Sequence, residues 1–296
     1  MPPATSPGAG RAALSARRRA PACPRPDRAA PPAPRHDLRL ADAGTVWLPV
    51  FEALSRGLEQ TIDQQAIMCL SGDAGVGKTF ALATVLVADT TPACRVCLAR
   101  LVPRPAPTPA ALRCDLAAAL DVRDVSHKDP EAFDAALRDV LAAREHLFVV
   151  DEAQRLDAAC FEYLRYFLDD PRTCAALVLV VGERGLAVLR RQKMLASRTA
   201  VSLRIPALTP GEVRWAIPRF HPLWQTSTPE AVDLLDARLC HGNFRRWAQA
   251  THHTLRLLRS RGEGAGHQVL QDLLHDRLPP HHDTRRPSAT VPGTAP

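Results

Sequence analysis

The run Gly72-Asp73-Ala74-Gly75-Val76-Gly77-Lys78-Thr79 matches G-x-x-x-x-G-K-[ST] at every fixed position. Glycines in such a run let successive backbone N–H groups turn inward around phosphate oxygens, because no Cβ blocks the approach. Lys78 is then placed to reach the β- and γ-phosphates of a nucleotide, and the Thr79 hydroxyl to ligate Mg²⁺. A helix starting here adds the positive end of its dipole to the same anion. A second constellation follows about 70 residues on: His146-Leu147-Phe148-Val149-Val150-Asp151-Glu152 is an apolar strand ending in two acids. Asp151 at the strand tip can hold the Mg²⁺ shell, and Glu152 can polarise a water for in-line attack on the γ-phosphate.

These residues need a strand–loop–helix unit and a neighbouring strand to position them, and the hydrophobic pattern supplies both. Ala66–Leu70 is a short apolar run that reads as a buried strand, and Phe80–Ala88 reads as the helix after the glycine-rich loop. Further strands are expected at Arg95–Val102, His146–Val150, Ala176–Val181 and Val201–Ile205. Helices are expected at Trp47–Ile62, Ala110–Leu120, Pro130–Arg144, Asp157–Leu168 and Leu186–Leu195. Alternation of this kind implies crossover connections and a mainly parallel five-stranded sheet with helices on both faces. Beyond Pro206 the β-type runs stop. Pro210–Phe220, Pro229–Cys240, Asn243–Arg259 and His267–Leu274 all read as helices.

The chain of 296 residues carries a net charge of +7, distributed unevenly. Residues 1–40 contribute +6 and residues 277–296 +2, which leaves the middle at −1. Nine of the 27 prolines fall in the first segment and five in the last, so both ends read as disordered, Pro/Arg-rich tails. The expected organisation is a tail over 1–40, an α/β nucleotide-binding domain over 41–206, a helical lid over 207–276 and a second tail over 277–296. No apolar run is long enough to span a bilayer, and no export signal precedes the eight cysteines, so a cytoplasmic chain is expected, with no membrane partner and no disulfide scaffold. The run Arg17-Arg18-Arg19 could touch nucleic acid or an acidic surface, or be a solvated tail.

Together the two constellations resemble those of the AAA+ ATPases over roughly residues 45–260. The continuation Asp151-Glu152-Ala153-Gln154-Arg155-Leu156 resembles the branch that contains the bacterial transposition ATPases (MuB, TnsC and TniB type) and the ExeA-like secretion ATPases. The resemblance implies ATP and Mg²⁺ as ligands, with Lys78 and Glu152 in hydrolysis and Thr79 and Asp151 at the metal. It also implies a polar sensor at the fourth strand tip, where this chain has Glu183 in place of a neutral amide or hydroxyl. Arg198, just before the fifth strand, matches the position of an arginine finger offered to a neighbouring subunit; the alternative is a surface arginine. Arg245 in Gly242-Asn243-Phe244-Arg245 resembles a second sensor reaching the γ-phosphate from the lid, with Arg246 as its fallback.

Weaker signals carry less. Cys94 and Cys97 form a lone C-x-x-C without a second pair at zinc-ribbon spacing, and Cys97 falls on an expected buried strand. The adjacent pairs His252-His253 and His281-His282 lack the i, i+4 spacing of two ligands on one helical face. Arg256, Arg259 and Arg261, with His252 and His253, make a basic stretch that reads as a solvated face or as a phosphate-backbone contact. The resulting expectation is a DNA-associated, transposition-type ATPase that forms homo-oligomers, contacts DNA through its backbone and recruits a transposase or other protein. The alternative is a nucleotide-switched regulatory ATPase that binds protein alone. A secretion ATPase would need a membrane span after the ATPase domain, and a replication initiator of the Orc/Cdc6 type a winged-helix domain after the lid; neither is read in the sequence.

Overall fold

The computed structural model describes residues 40–88, 96–122, 129–192, 195 and 197–261. Five strands form one sheet: β1 (Ile67–Gly72), β2 (Cys97–Leu101), β3 (Glu145–Val150), β4 (Cys174–Gly182) and β5 (Thr199–Arg204). Their spatial order is β2-β3-β4-β1-β5, and every neighbouring pair is parallel. β1 is therefore flanked by β4 and β5, with one register shift between Ile67 and Met68 where it meets β5. The expected five-stranded parallel α/β sheet is the one observed.

The period-two alternation of strand side chains divides the core into two layers. Ile67 and Cys69 of β1, with Phe148, Val150, Leu177 and Leu179, face α3 (Pro109–Leu120), α4 (Pro130–Ala143), α5 (Ala158–Asp169) and α6 (Glu183–Arg191). Met68 and Leu70, with Leu147, Val149, Val178 and Val180, face α1 (Pro49–Asp63) and α2 (Lys78–Val87). Helix starts follow local chemistry. Thr108, Asp129 and Asp157 each accept a backbone N–H at an N-cap, and the first two are followed by a proline that needs no N–H partner.

α7 (Pro210–Phe220), α8 (Pro229–Leu235), a π-helical turn (Asp236–Cys240) and α9 (Phe244–Arg261) follow the sheet. They share a small core of their own in which Trp224 and Trp247 meet edge-to-face, with ring centroids 5.4 Å apart. Ala216, Phe220 and Ala248 from these helices also pack into the α1/α2 layer.

Some boundaries move. α6 begins at Glu183, directly at the end of β4, rather than at Leu186; an acid in the first turn complements the helix dipole there. β5 runs Thr199–Arg204 rather than Val201–Ile205. The helix expected at His267–Leu274, the arginine run 17–19, Cys94 and the His281-His282 pair lie outside the described residues. Cys97 is half-buried in β2 rather than fully buried. Among the described residues no helix is long and apolar enough to cross a membrane, and no group of three or more His, Cys, Asp or Glu could hold a metal ion.

Candidate nucleotide-binding site

The glycine-rich run is the loop between β1 and α2. Gly75 (φ 83°) and Gly77 (φ 97°) both adopt backbone conformations that side chains disfavour, and Gly77 is the N-cap of α2. A Cβ on Gly75 would lie 2.6 Å from Asn243 Oδ1, so that glycine is required by contact as well as by φ. Lys78 folds back along the loop and donates from Nζ to the carbonyls of Gly72 (2.9 Å) and Asp73 (2.8 Å). Burial pulls its amine below the usual lysine range, against the opposing fields of Glu152, Asp151 and Asp73; the nearby Arg245 guanidinium pulls it further down.

β3 delivers the acids beside this loop. The Thr79 hydroxyl donates to Asp151 Oδ2 at 2.8 Å, joining the two elements across 72 residues of sequence. Asp151 is itself held at both ends: its N–H donates to the Leu101 carbonyl at the tip of β2, and its Oδ1 accepts from the Glu152 N–H, each at 2.9 Å. The chain turns sharply at Glu152, which takes a left-handed conformation (φ 53°). Its carboxylate accepts from Gln154 Nε2 at 2.5 Å.

A cavity of about 520 Å³ opens at this point, within the usual size range of small-molecule sites, roughly 300–1,000 Å³. Ala74 to Ala81, Asp151, Glu152 and Arg245 line its polar side, and Leu48, Phe51, Ile205, Phe220 and Phe244 its apolar side. Gly72 and Asp73 stand behind the lining and act through their carbonyls on Lys78. Thus Ala74, Gly75, Val76, Gly77, Lys78, Thr79, Asp151, Glu152 and Arg245 converge on one cavity. Arg246 instead turns back to the Leu239 carbonyl at 3.1 Å.

Arg198 does not join them. Its carbonyl accepts from the Ile67 N–H at the start of β1, whereas the phosphate loop leaves the other end of that strand. Five strand steps of about 3.3 Å separate the two ends by roughly 17 Å. The Arg198 side chain, 43% exposed, pairs with Asp169 at 2.6 Å. Glu183 is not an isolated solvent-facing acid. It pairs with Arg204 at 2.5 Å and hydrogen-bonds Asp73 of the phosphate loop, and that bond and like charge hold its carboxyl above the usual range.

Two further cavity-side residues carry weight. Asn243 caps α9 and reaches the phosphate loop. Arg100 on β2 is an exposed residue that lines the cavity; partial desolvation there lowers its guanidinium, and the charge of Asp151 opposes that. Its signal was an arginine inside a strand of otherwise small and apolar residues.

Residues 60–189 match the model of the AAA domain family. The ORC2 protein of Aeropyrum pernix in its ADP form superposes with a TM-score of 0.60 at 17% identity, covering 81% of this chain and 71% of that one. The fold is that of the AAA+ P-loop ATPases. The Drosophila ORC bound to DNA matches this AAA+ fold with a TM-score of 0.57 at 17% identity, over 81% of this chain and 63% of that one. The RuvB Holliday junction branch migration motor of Thermotoga maritima matches with 0.52 at 17% identity, over 76% and 67%. No curated protein matches the sequence significantly.

The residues present suit Mg²⁺. A hydroxyl and one carboxylate meet at hydrogen-bond distance on the wall of the cavity, beside the glycine-rich loop, and Mg²⁺ in nucleotide sites takes one or two protein oxygens plus phosphates and water.

Proposed function

We propose that this chain binds Mg-ATP and hydrolyses it to ADP and phosphate, acting on DNA as a homo-oligomeric, transposition-type accessory ATPase. The observation that carries the ATPase reading is the 2.8 Å Thr79–Asp151 contact at the mouth of a cavity that also presents Lys78 and Glu152. Lys78 and the loop N–H groups bind the phosphates, and Arg245 adds positive charge from the helical lid. Glu152 accepts a proton from the attacking water as the water oxygen bonds to the γ-phosphorus. The bond from that phosphorus to the β,γ-bridging oxygen breaks, and ADP leaves with the electron pair. Mg²⁺ held by Thr79 and Asp151 would supply charge neutralisation on the phosphates.

The apolar wall of Leu48, Phe51, Phe220 and Phe244 is suited to a nucleoside base. Arg198, at the far end of the sheet, suits a role toward a neighbouring subunit rather than its own cavity. Exposed His252, Arg256 and Arg259, spaced by four and three residues, share one face of α9, and the two arginines offer cations to a phosphate backbone. The resemblance of residues 151–156 to the transposition branch supports the choice of role. The direct test is ATP turnover with and without duplex DNA over a range of salt and protein concentrations. Stimulation by DNA that weakens with salt supports this reading. Turnover that ignores both DNA and protein concentration favours a nucleotide-switched regulator of protein partners.

A further inference from the structure

We infer that Gln154 is a positioning residue for Glu152, fixing the base carboxylate at the edge of the cavity. The inference rests on the ATPase reading above, and names a residue which that reading does not use.

Three local costs converge on the one contact between these side chains. Glu152 occupies the left-handed region at φ 53°, which residues other than glycine seldom adopt. Gln154 Oε1 is buried without a hydrogen-bond partner, an arrangement that folded proteins generally avoid. Gly185, in the first turn of α6, leaves no room for a side chain: a Cβ there would stand 2.8 Å from Gln154 Cβ and 3.0 Å from Gln154 Oε1. Each would be relieved by a different backbone or side-chain choice. What they hold in common is the 2.5 Å bond from Gln154 Nε2 to Glu152 Oε2.

The chemistry fixes the sense of that bond. A carboxylate only accepts, so the amide must turn its NH₂ toward Glu152, which leaves its oxygen against Gly185. One carboxylate oxygen is thereby tethered and the other stays available to a water in the cavity that Glu152 lines. The backbone alone would not do this, because a glutamate on a sharp turn keeps three rotatable side-chain bonds. Packing of Gln154 against Gly185 extends the tether to α6, whose first residue, Glu183, meets the phosphate loop at Asp73.

The test uses the full chain and four variants: Gln154→Met, which keeps the length and loses the donor; Gly185→Ala, which displaces Gln154 from the far side; Glu152→Gln; and the Glu152→Gln/Gln154→Met double. For each, kcat and KM for ATP are measured, and a non-hydrolysable ATP analogue is titrated. Misplacing a reacting group by about 1 Å can cost on the order of a hundredfold, so Gln154→Met and Gly185→Ala should lower kcat about 10- to 100-fold. Analogue affinity should stay at the wild-type value in both. The double variant should be no slower than Glu152→Gln alone, because a tether has nothing left to position once the base is gone. Wild-type kcat or faster in Gln154→Met, or losses that multiply in the double, would overturn the inference. If Glu152→Gln itself turns over normally, the base assignment fails and the inference with it. If Glu152→Gln is slow and Gln154→Met is not, this inference alone fails.

Discussion

Asn243 donates its side-chain amide to the carbonyl of Ala74 at 2.8 Å, fastening the start of α9 to the phosphate loop across 169 residues of sequence. The Arg245 N–H adds a second tie, to the Gly75 carbonyl at 3.0 Å. Meanwhile Asn243 Oδ1 accepts the N–H groups of Arg245 and Arg246, so one side chain both caps the helix and clasps the loop. The two duties separate by mutation. Asn243→Ala loses both and should cost about 1–2 kcal/mol in urea denaturation. Asn243→Asp keeps the cap and loses the donor. It should retain most of the stability but bind nucleotide more weakly in a titration; nucleotide affinity equal to wild type in Asn243→Asp would mean the clasp does not shape the loop.

Lys78 and Glu152 should fail in different ways. Lys78→Ala removes the flexible cation that already spans the loop through Gly72 and Asp73, and should abolish tight ATP binding. Glu152→Gln keeps the shape and loses the base; ATP should bind while turnover slows at least about a hundredfold. Titration of both proteins with ATP, followed by single-turnover hydrolysis, separates the two outcomes.

Arg198 is predicted to act across subunits. Its ion pair with Asp169 is largely exposed and is worth no more than about 1 kcal/mol, so Arg198→Ala should fold and bind ATP normally. Hydrolysis should nonetheless fall steeply, since an arginine finger typically contributes about 10³–10⁵ in rate. Mixing Arg198→Ala with Lys78→Ala should restore activity, one chain supplying an intact pocket and the other an intact finger. Co-sedimenting mixtures without rescue would assign Arg198 to its own chain's surface.

Glu183 makes a pH prediction. Its hydrogen bond and like charge with Asp73 raise its carboxyl above the ordinary value of 4.5, while Arg204 opposes the shift. A raised acid binds its proton more tightly in the folded state, so its contribution favours folding at low pH and is lost as pH rises above 4.5. Melting temperatures should therefore fall, relative to Glu183→Gln, on going from acid to neutral pH. The opposite slope would show that the Arg204 pair outweighs the Asp73 contact.

The parts of the site legible in the sequence are those whose chemistry lies within one short segment. Gly72 to Thr79 is a single loop, and Asp151-Glu152 ends a single apolar run; both constellations carry their spacing with them. The contacts that escaped are those made by the order of strands in space. Arg100 feels the charge of Asp151 because β2 lies beside β3, and Asn243 reaches Ala74 because the helices after β5 fold back over β1. In one dimension Glu183 is only an acid where a neutral polar sensor is implied, with no partner in view. The pairing of Gly72 with Gly182 brings the ends of β1 and β4 together, and Glu183 to Asp73 with them. The early start of α6 departs from the expected one because Gly182 and Gly185 read as a turn, whereas Gly182 is the N-cap and Gly185 lies buried in the first turn of the helix.

The position of β1 in the sheet also bears on how the chain comes to be folded during synthesis. Ile67 stands in register opposite Leu177 on one side and Thr199 on the other, so the strand that carries the phosphate loop emerges well before either neighbour exists. At about 5–20 residues per second, it waits roughly 5 to 20 seconds with both pairing edges open, while only α1 and α2 are there to pack on Met68 and Leu70. The cavity is incomplete in that interval, since part of its wall comes from Ile205 to Leu208, Phe220 and α9, later still in the chain. Nucleotide bound as proposed above would stabilise the finished molecule by mass action, whereas the nascent one holds both edges of Ile67–Gly72 open until β4 and β5 have been made.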